Sequence, residues 1–121
     1  MDSKGCILII DDSGTSLQLL EFLLGNEGFQ TLLAESVPRA IEQIKNRKPD
    51  LILLDLQMPE ISGYDFLKMT KELKIQDVPI IVVSAYDTPE NIKLTKSLGA
   101  SEFLPKPIKT SILLERIKTY F

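Results

Sequence analysis

Three short runs of apolar residues carry no polar interruption: Cys6-Ile7-Leu8-Ile9-Ile10, Leu51-Ile52-Leu53-Leu54 and Ile80-Ile81-Val82-Val83. Runs of this length, bounded by polar groups, fit strands covered on both faces, as in a parallel sheet. Phe29–Ala34 alternates in part, which predicts an edge strand. Ser101–Leu104 predicts a short fifth strand. Pro59 lacks an N–H and cannot extend a ladder, so the strand beginning at Leu51 ends before it, at about Asp55.

The intervening segments repeat apolar residues at helical spacing. Leu17, Leu20, Leu23 and Leu24 follow a turn in which Ser13 or Thr15 can cap, and Gly28 fits the left-handed position past the helix end. Val37, Ala40, Ile41 and Ile44 form a second stripe after Ser36, with Lys45, Arg47 and Lys48 placed to suit the helix dipole. A third helix is predicted from about Tyr64 to Lys74, burying Phe66, Leu67, Met69 and Leu73. Asp87 or Thr88 caps a fourth, with Pro89 in its first turn and Gly99 at its end. Leu113, Ile117 and Tyr120 mark a fifth, which stops at Phe121. Strands and helices thus alternate five times through short loops. That pattern predicts an α/β fold with a five-stranded parallel sheet covered on both faces, joined by right-handed crossovers.

Composition narrows the chemistry. The 121 residues suit one domain over 1–121, and a net charge of −3 with no basic run gives no sign of nucleic-acid binding. No segment reaches the roughly 20 apolar residues of a membrane helix, and the N-terminus has no signal-peptide core. The lone Cys6 cannot form an internal disulfide, which fits a cytoplasmic location. There is no histidine, which excludes His-based catalytic sites, His-ligated zinc and a phosphohistidine donor.

Polar groups stand where the predicted strands end: Asp11-Asp12, Asp55, Ser84 and Lys106. In a parallel sheet all four lie on one edge. With the flavodoxin-like, doubly wound strand order 2-1-3-4-5, the switch point falls between strands 1 and 3 and sets Asp11, Asp12 and Asp55 side by side. Clustered carboxylates repel one another, and Mg2+ is the hard, oxygen-seeking cation that relieves this. Lys106 adds a compact positive charge suited to phosphate, and Ser84 a hydroxyl donor. A carboxylate beside a metal and a lysine can serve as nucleophile in phosphoryl transfer.

These residues resemble the receiver domain of two-component response regulators. The resemblance rests on Asp11-Asp12, on Asp55 followed by Met58-Pro59 and Gly63, on Ser84-Ala85 and on Lys106-Pro107, in order across nearly the whole chain. It implies that Asp55 accepts a phosphoryl group from a histidine kinase or histidine phosphotransfer protein. It implies a Mg2+ site of Asp11, Asp12, Asp55 and the Gln57 main-chain carbonyl, with Ser84 and Lys106 on the phosphoryl group. It further implies a cis Lys106-Pro107 bond, and a switch aromatic at Phe103 that without this resemblance reads as a core residue. The regulated surface would be the fourth helix, fifth strand and fifth helix, where Lys93, Lys96 and Lys109 stand. That surface would address a downstream protein or an output domain, and it is compatible with a homodimer.

Two other functions compete. A phosphatase or mutase with an aspartyl nucleophile generally needs a second acid where Gln57 stands, and has a cap insertion absent here. A flavodoxin-like cofactor binder would place three carboxylates against a phosphate. The resemblance also puts Gln57 and Tyr86 beside the water that would hydrolyse an acyl phosphate, and both are large. Slow self-dephosphorylation is therefore predicted, and Gln57→Ala and Tyr86→Ala should shorten the phosphoryl lifetime followed by intact mass. Rapid loss that neither substitution changes would contradict it.

Overall fold

The computed structural model describes residues 4–58 and 60–121. Pro59, which ends the third strand in the sequence reading, therefore lies outside the described residues. Five strands alternate with five helices: β1 (Cys6–Ile10), α1 (Gly14–Asn26), β2 (Gln30–Ala34), α2 (Val37–Asn46), β3 (Leu51–Leu54), α3 (Gly63–Lys68), β4 (Ile80–Ser84), α4 (Pro89–Ser97), β5 (Glu102–Pro105) and α5 (Thr110–Lys118). All strand pairs are parallel, in the order β2-β1-β3-β4-β5. Ile10 lies beside Ala34 on one side and Leu54 on the other, Leu54 beside Val82, and Ser84 beside Pro105. This register brings the carboxyl ends of the strands to a common edge.

The three apolar runs lack alternation because each strand serves two cores. Leu8, Ile10, Ile52, Leu54, Ile80 and Val82 pack on one face with Val37, Ala40, Phe66 and Leu67. Ile7, Ile9, Leu51, Leu53, Ile81 and Val83 pack on the other with Leu17, Leu20, Leu24, Leu113 and Ile117. Each fully buried Leu or Ile contributes about 1.5–3 kcal/mol relative to exposure, so these central strands carry much of the stability.

The helix starts follow the side chains that cap them. Ser13, Ser36, Ser62 and Thr88 each accept a backbone N–H from the first turn, and Ser62 and Asp65 form a reciprocal capping box. Gly28 and Gly99 take positive φ just past α1 and α4. The α4 helix differs from the rest. Its buried residues are the polar Asn91 and Thr95, and no residue of Pro89–Ser97 belongs to either buried apolar cluster.

Three expectations change. The third helix is shorter than Tyr64–Lys74: Met69 N–H pairs with Phe66 O, three residues back, and the Thr70 hydroxyl donates to Leu67 O. Both bonds compete with helix continuation, and the segment turns through Lys74 at φ 59. Arg47 and Lys48 leave the end of α2, bonding Gln30 and Asp77 instead. Tyr120 lies beyond α5 and is partly exposed, with its hydroxyl on Glu102, which Arg116 also grips at 2.6 and 3.1 Å.

The start of α3 is pressed onto the end of β3. A Cβ at Gly63 would stand 2.5 Å from the Asp55 carbonyl oxygen and 2.8 Å from Leu56 Cα. Backbone cannot yield as a flexible side chain does. Gly63→Ala should lower stability by about 1–3 kcal/mol in urea denaturation, the range typical of overpacking.

Candidate functional site

The site begins with strands that end in step. Asp11 follows β1 and its N–H donates to Ala34 O at 3.1 Å; Asp55 follows β3 and its N–H donates to Ile10 O at 2.9 Å. The two backbones are thus tied as continuations of the sheet, and their carboxylates emerge on its edge. Asp12, next in the chain, is exposed. One carboxylate oxygen from each of Asp11, Asp12 and Asp55 lies within 4.8 Å of the others.

Lys106 enters from the end of β5. Its N–H donates to Ser84 O at 2.9 Å, fixing the backbone, and the Lys106-Pro107 peptide is cis. The ammonium stands 3.2 Å from Asp11 Oδ2 and 3.7 Å from Asp55 Oδ2. The other oxygens turn to local backbone: Ser13 N–H donates to Asp11 Oδ1 at 2.9 Å and Gln57 N–H to Asp55 Oδ1 at 3.4 Å. Each buried carboxylate therefore has one oxygen held by its own loop and one facing the lysine.

These contacts do not fully offset burial. Desolvation pushes the Asp55 carboxyl above its ordinary range, Lys106 pulls it down, and Asp11 and Asp12 push it up again. The residues present fit a hard divalent cation: three carboxylates converge with a single lysine among them, and the set is all oxygen.

Of the other residues singled out in the sequence, Ser84 is fully buried and its Oγ accepts Tyr86 N–H at 3.0 Å. Gln57 is exposed at the mouth of the site. Phe103 is partly buried against the core on β5, with β4 standing between it and the strand that leads into Asp55. Lys93, Lys96 and Lys109 are exposed. The sequence reading passed over Tyr64 and Asn91, whose side chains pair beside the β4–α4 loop. Their only signal was that Asn91 and Thr95 stand four apart, and polar residues do not advertise a buried stripe.

A carboxylate cluster and a lysine thus meet at the switch point of a doubly wound parallel sheet, the place where this fold class binds its ligands. The sequence profile of the family described as "Response regulator receiver domain" matches residues 7–118, and the chain belongs to that family. Over 113 residues it is 34% identical to the phosphate regulon transcriptional regulatory protein PhoB of Klebsiella pneumoniae, covering 93% of this chain and 49% of that protein. The chain thus spans about half the length of that relative. It is 29% identical over 115 residues to the polar-differentiation response regulator DivK of Brucella ovis, covering 94% of each. Among solved structures, the chemotaxis protein CheY4 of Vibrio cholerae superposes with a TM-score of 0.89 at 25% identity, over 96% of this chain and 98% of that one. The Francisella response regulator 1452 receiver domain superposes with a TM-score of 0.90 at 26% identity, over 97% and 96%. The flavodoxin-like fold expected from the sequence is the observed one, and the chain is a receiver domain of the two-component response regulator class. Among the described residues, no helix is long and apolar enough to cross a membrane.

The raised Asp55 carboxyl has a signed consequence for stability. The folded state holds this proton more tightly than the unfolded chain does. Its favourable contribution is complete below the ordinary carboxylate range and is lost as pH rises through the raised value. Without divalent cations, Asp55→Asn should therefore melt above the wild type near neutral pH, and that advantage should shrink on acidification. An advantage that does not change with pH would contradict the burial argument.

Proposed function

We propose that Asp55 is the phosphoacceptor of this receiver domain. The observation that carries this is the convergence of Asp11, Asp12 and Asp55 within 4.8 Å, with Lys106 bridging Asp11 and Asp55. In the transfer, an Asp55 carboxylate oxygen attacks the phosphorus of a phosphohistidine. A P–O bond forms, the P–N bond breaks, and the leaving imidazole takes a proton from solvent. Asp11, Asp12, Asp55 and the Gln57 main-chain carbonyl would hold Mg2+, which when bound neutralises charge on the transferring oxygens. Lys106 supplies positive charge beside the acceptor, and Ser84 supplies a hydroxyl donor. This is self-directed phosphotransfer and self-hydrolysis rather than turnover of an external substrate.

The donor would be a histidine kinase or a histidine phosphotransfer protein, since this chain has no histidine. An apolar groove of about 290 Å³ beside the site supports docking of such a partner; Leu19, Leu20, Leu23, Lys106, Pro107 and Ile108 line it. Leu19 and Phe22 stand exposed on α1. Phosphorylation adds roughly −1.5 to −2 charge, and Ser84 and Phe103 would convey it to the α4–β5–α5 surface. Exposed Leu94 and Ile112 lie on that surface with the three lysines. It would serve a downstream protein, an output domain or a second copy of the chain. A cytoplasmic location follows from this partnership with kinase domains.

Acetyl phosphate with Mg2+ should add one phosphoryl group by intact mass. The addition should vanish in Asp55→Asn and on chelation, and should slow at least tenfold in Lys106→Ala, the loss of a single charged contact of about 1.5–3 kcal/mol. Phosphoryl uptake by Asp55→Asn at the wild-type rate would reject the assignment. Mg2+ alone should raise the melting midpoint of the wild type, by about 2.7 kcal/mol of stability at a hundredfold excess over Kd, and the gain should be much smaller in Asp12→Asn.

A further inference from the structure

Asn91 is a buried carboxamide that the phosphoacceptor reading does not use, only 5% exposed in the first turn of α4. Its orientation is fixed by its partners. Asn91 Nδ2 donates to Tyr86 O at 2.6 Å, and a carbonyl can only accept, so Oδ1 is left to accept the Tyr64 hydroxyl. Its own N–H donates to the capping hydroxyl of Thr88 at 3.2 Å. Burial raises the Tyr64 phenol above its ordinary range, so this hydroxyl remains a donor at neutral pH.

Tyr86 is consequently held at both backbone poles. Its carbonyl accepts from Asn91, and its N–H donates to Ser84 Oγ. Tyr64, at the other end, follows Gly63, whose N–H donates to Leu56 O at 3.1 Å and whose Cα is pressed on the Asp55 carbonyl. The bonds therefore run from the backbone of Asp55 and Leu56 through Gly63, Tyr64, Asn91 and Tyr86 to the Ser84 hydroxyl. Both ends lie at the phosphorylation edge. The α4 helix has no apolar side chain in either buried cluster, and the Tyr64–Asn91–Tyr86 bonds tie its first turn and the β4–α4 loop to α3.

We infer that the Tyr64–Asn91 pair is a latch that fixes the β4–α4 loop to α3 and so governs how freely the Ser84 hydroxyl turns toward Asp55. The consequence at Ser84 rests on the phosphoacceptor reading; the tie to α3 does not. With the latch closed, Tyr86 cannot shift without breaking its bond to Asn91, and Ser84 Oγ is engaged by Tyr86 N–H. Opening it frees the loop to follow Ser84. Tyr64 and Asn91 are positioning residues, acting through Tyr86 and Ser84.

Tyr64→Phe removes one hydroxyl and keeps the ring. The loss of one hydrogen bond corresponds to an effect of about 2- to 10-fold. Amide hydrogen exchange over residues 85–88 of the unphosphorylated protein should accelerate by that factor, while exchange in β1 and β3 stays unchanged. Asn91→Ser, which loses the bridge but stays polar, should do the same. Acetyl phosphate uptake with Mg2+ should rise 2- to 10-fold in Tyr64→Phe, because less of the driving force is spent on moving the loop. Loop exchange equal to wild type in both variants would overturn the latch. Faster exchange with unaltered uptake would overturn its link to Ser84. Faster exchange in a protein whose wild type takes up no phosphoryl group would uphold the tie to α3 and sink the phosphoacceptor reading instead.

Discussion

Everything at the functional edge depends on the cost of removing a carboxylate from water. Asp55 leaves β3 with its backbone paired to Ile10, so its side chain cannot retreat into solvent. The neighbouring Asp11 is fixed in the same way by Ala34. A parallel sheet whose strands end in step thus concentrates negative charge that the fold alone does not neutralise. Lys106 and two backbone N–H groups offset part of the cost, and the elevated Asp55 carboxyl records what is left. Residual electrostatic strain of this kind is what an added cation can relieve.

Around that edge the two cores are uneven in chemistry. The central strands and α1, α2, α3 and α5 bury aliphatic and aromatic side chains, which pack without direction and tolerate little movement. The α4 helix instead buries Asn91, whose carboxamide bonds Tyr86 and Tyr64, and Thr95, whose hydroxyl bonds within the helix; such bonds run along particular lines. Directional bonds can exchange partners, whereas packed methyl groups must be pulled apart. Change near Asp55 is therefore expected to propagate toward the β4–α4 loop and α4 rather than through the packed central strands.

Much of this was legible in the residues. The three uninterrupted apolar runs identified strands covered on both faces, and the capping residues Ser36 and Thr88 located helix starts. The approach of Asp11, Asp12, Asp55 and Lys106 could be read because each stands just past a strand, and strand ends share an edge in a parallel sheet. The end of α3 was not legible: Met69 and Leu73 do meet the core at helical spacing, yet local bonds from Met69 and Thr70 break the helix first. Arg47 looked like a helix-end cation, but its reach to Gln30 depends on where β2 lies. Asn91 and Tyr64 escaped notice because a buried polar pair has no periodic signature; only the fold brings α3 and α4 together.

The close approach of Gly63 to Asp55 has a mechanical meaning as well. On that side the pocket has a wall fused to its floor, since α3 can shift only if the backbone of Asp55 and Leu56 shifts with it. On the opposite side stand Ser84 and the loop to α4, attached by exchangeable bonds. The site is thus a vice with one fixed jaw and one sliding jaw. A push exerted at the acidic edge would therefore move the β4–α4 side before the α3 side, so the unequal attachment of the two walls by itself favours one face.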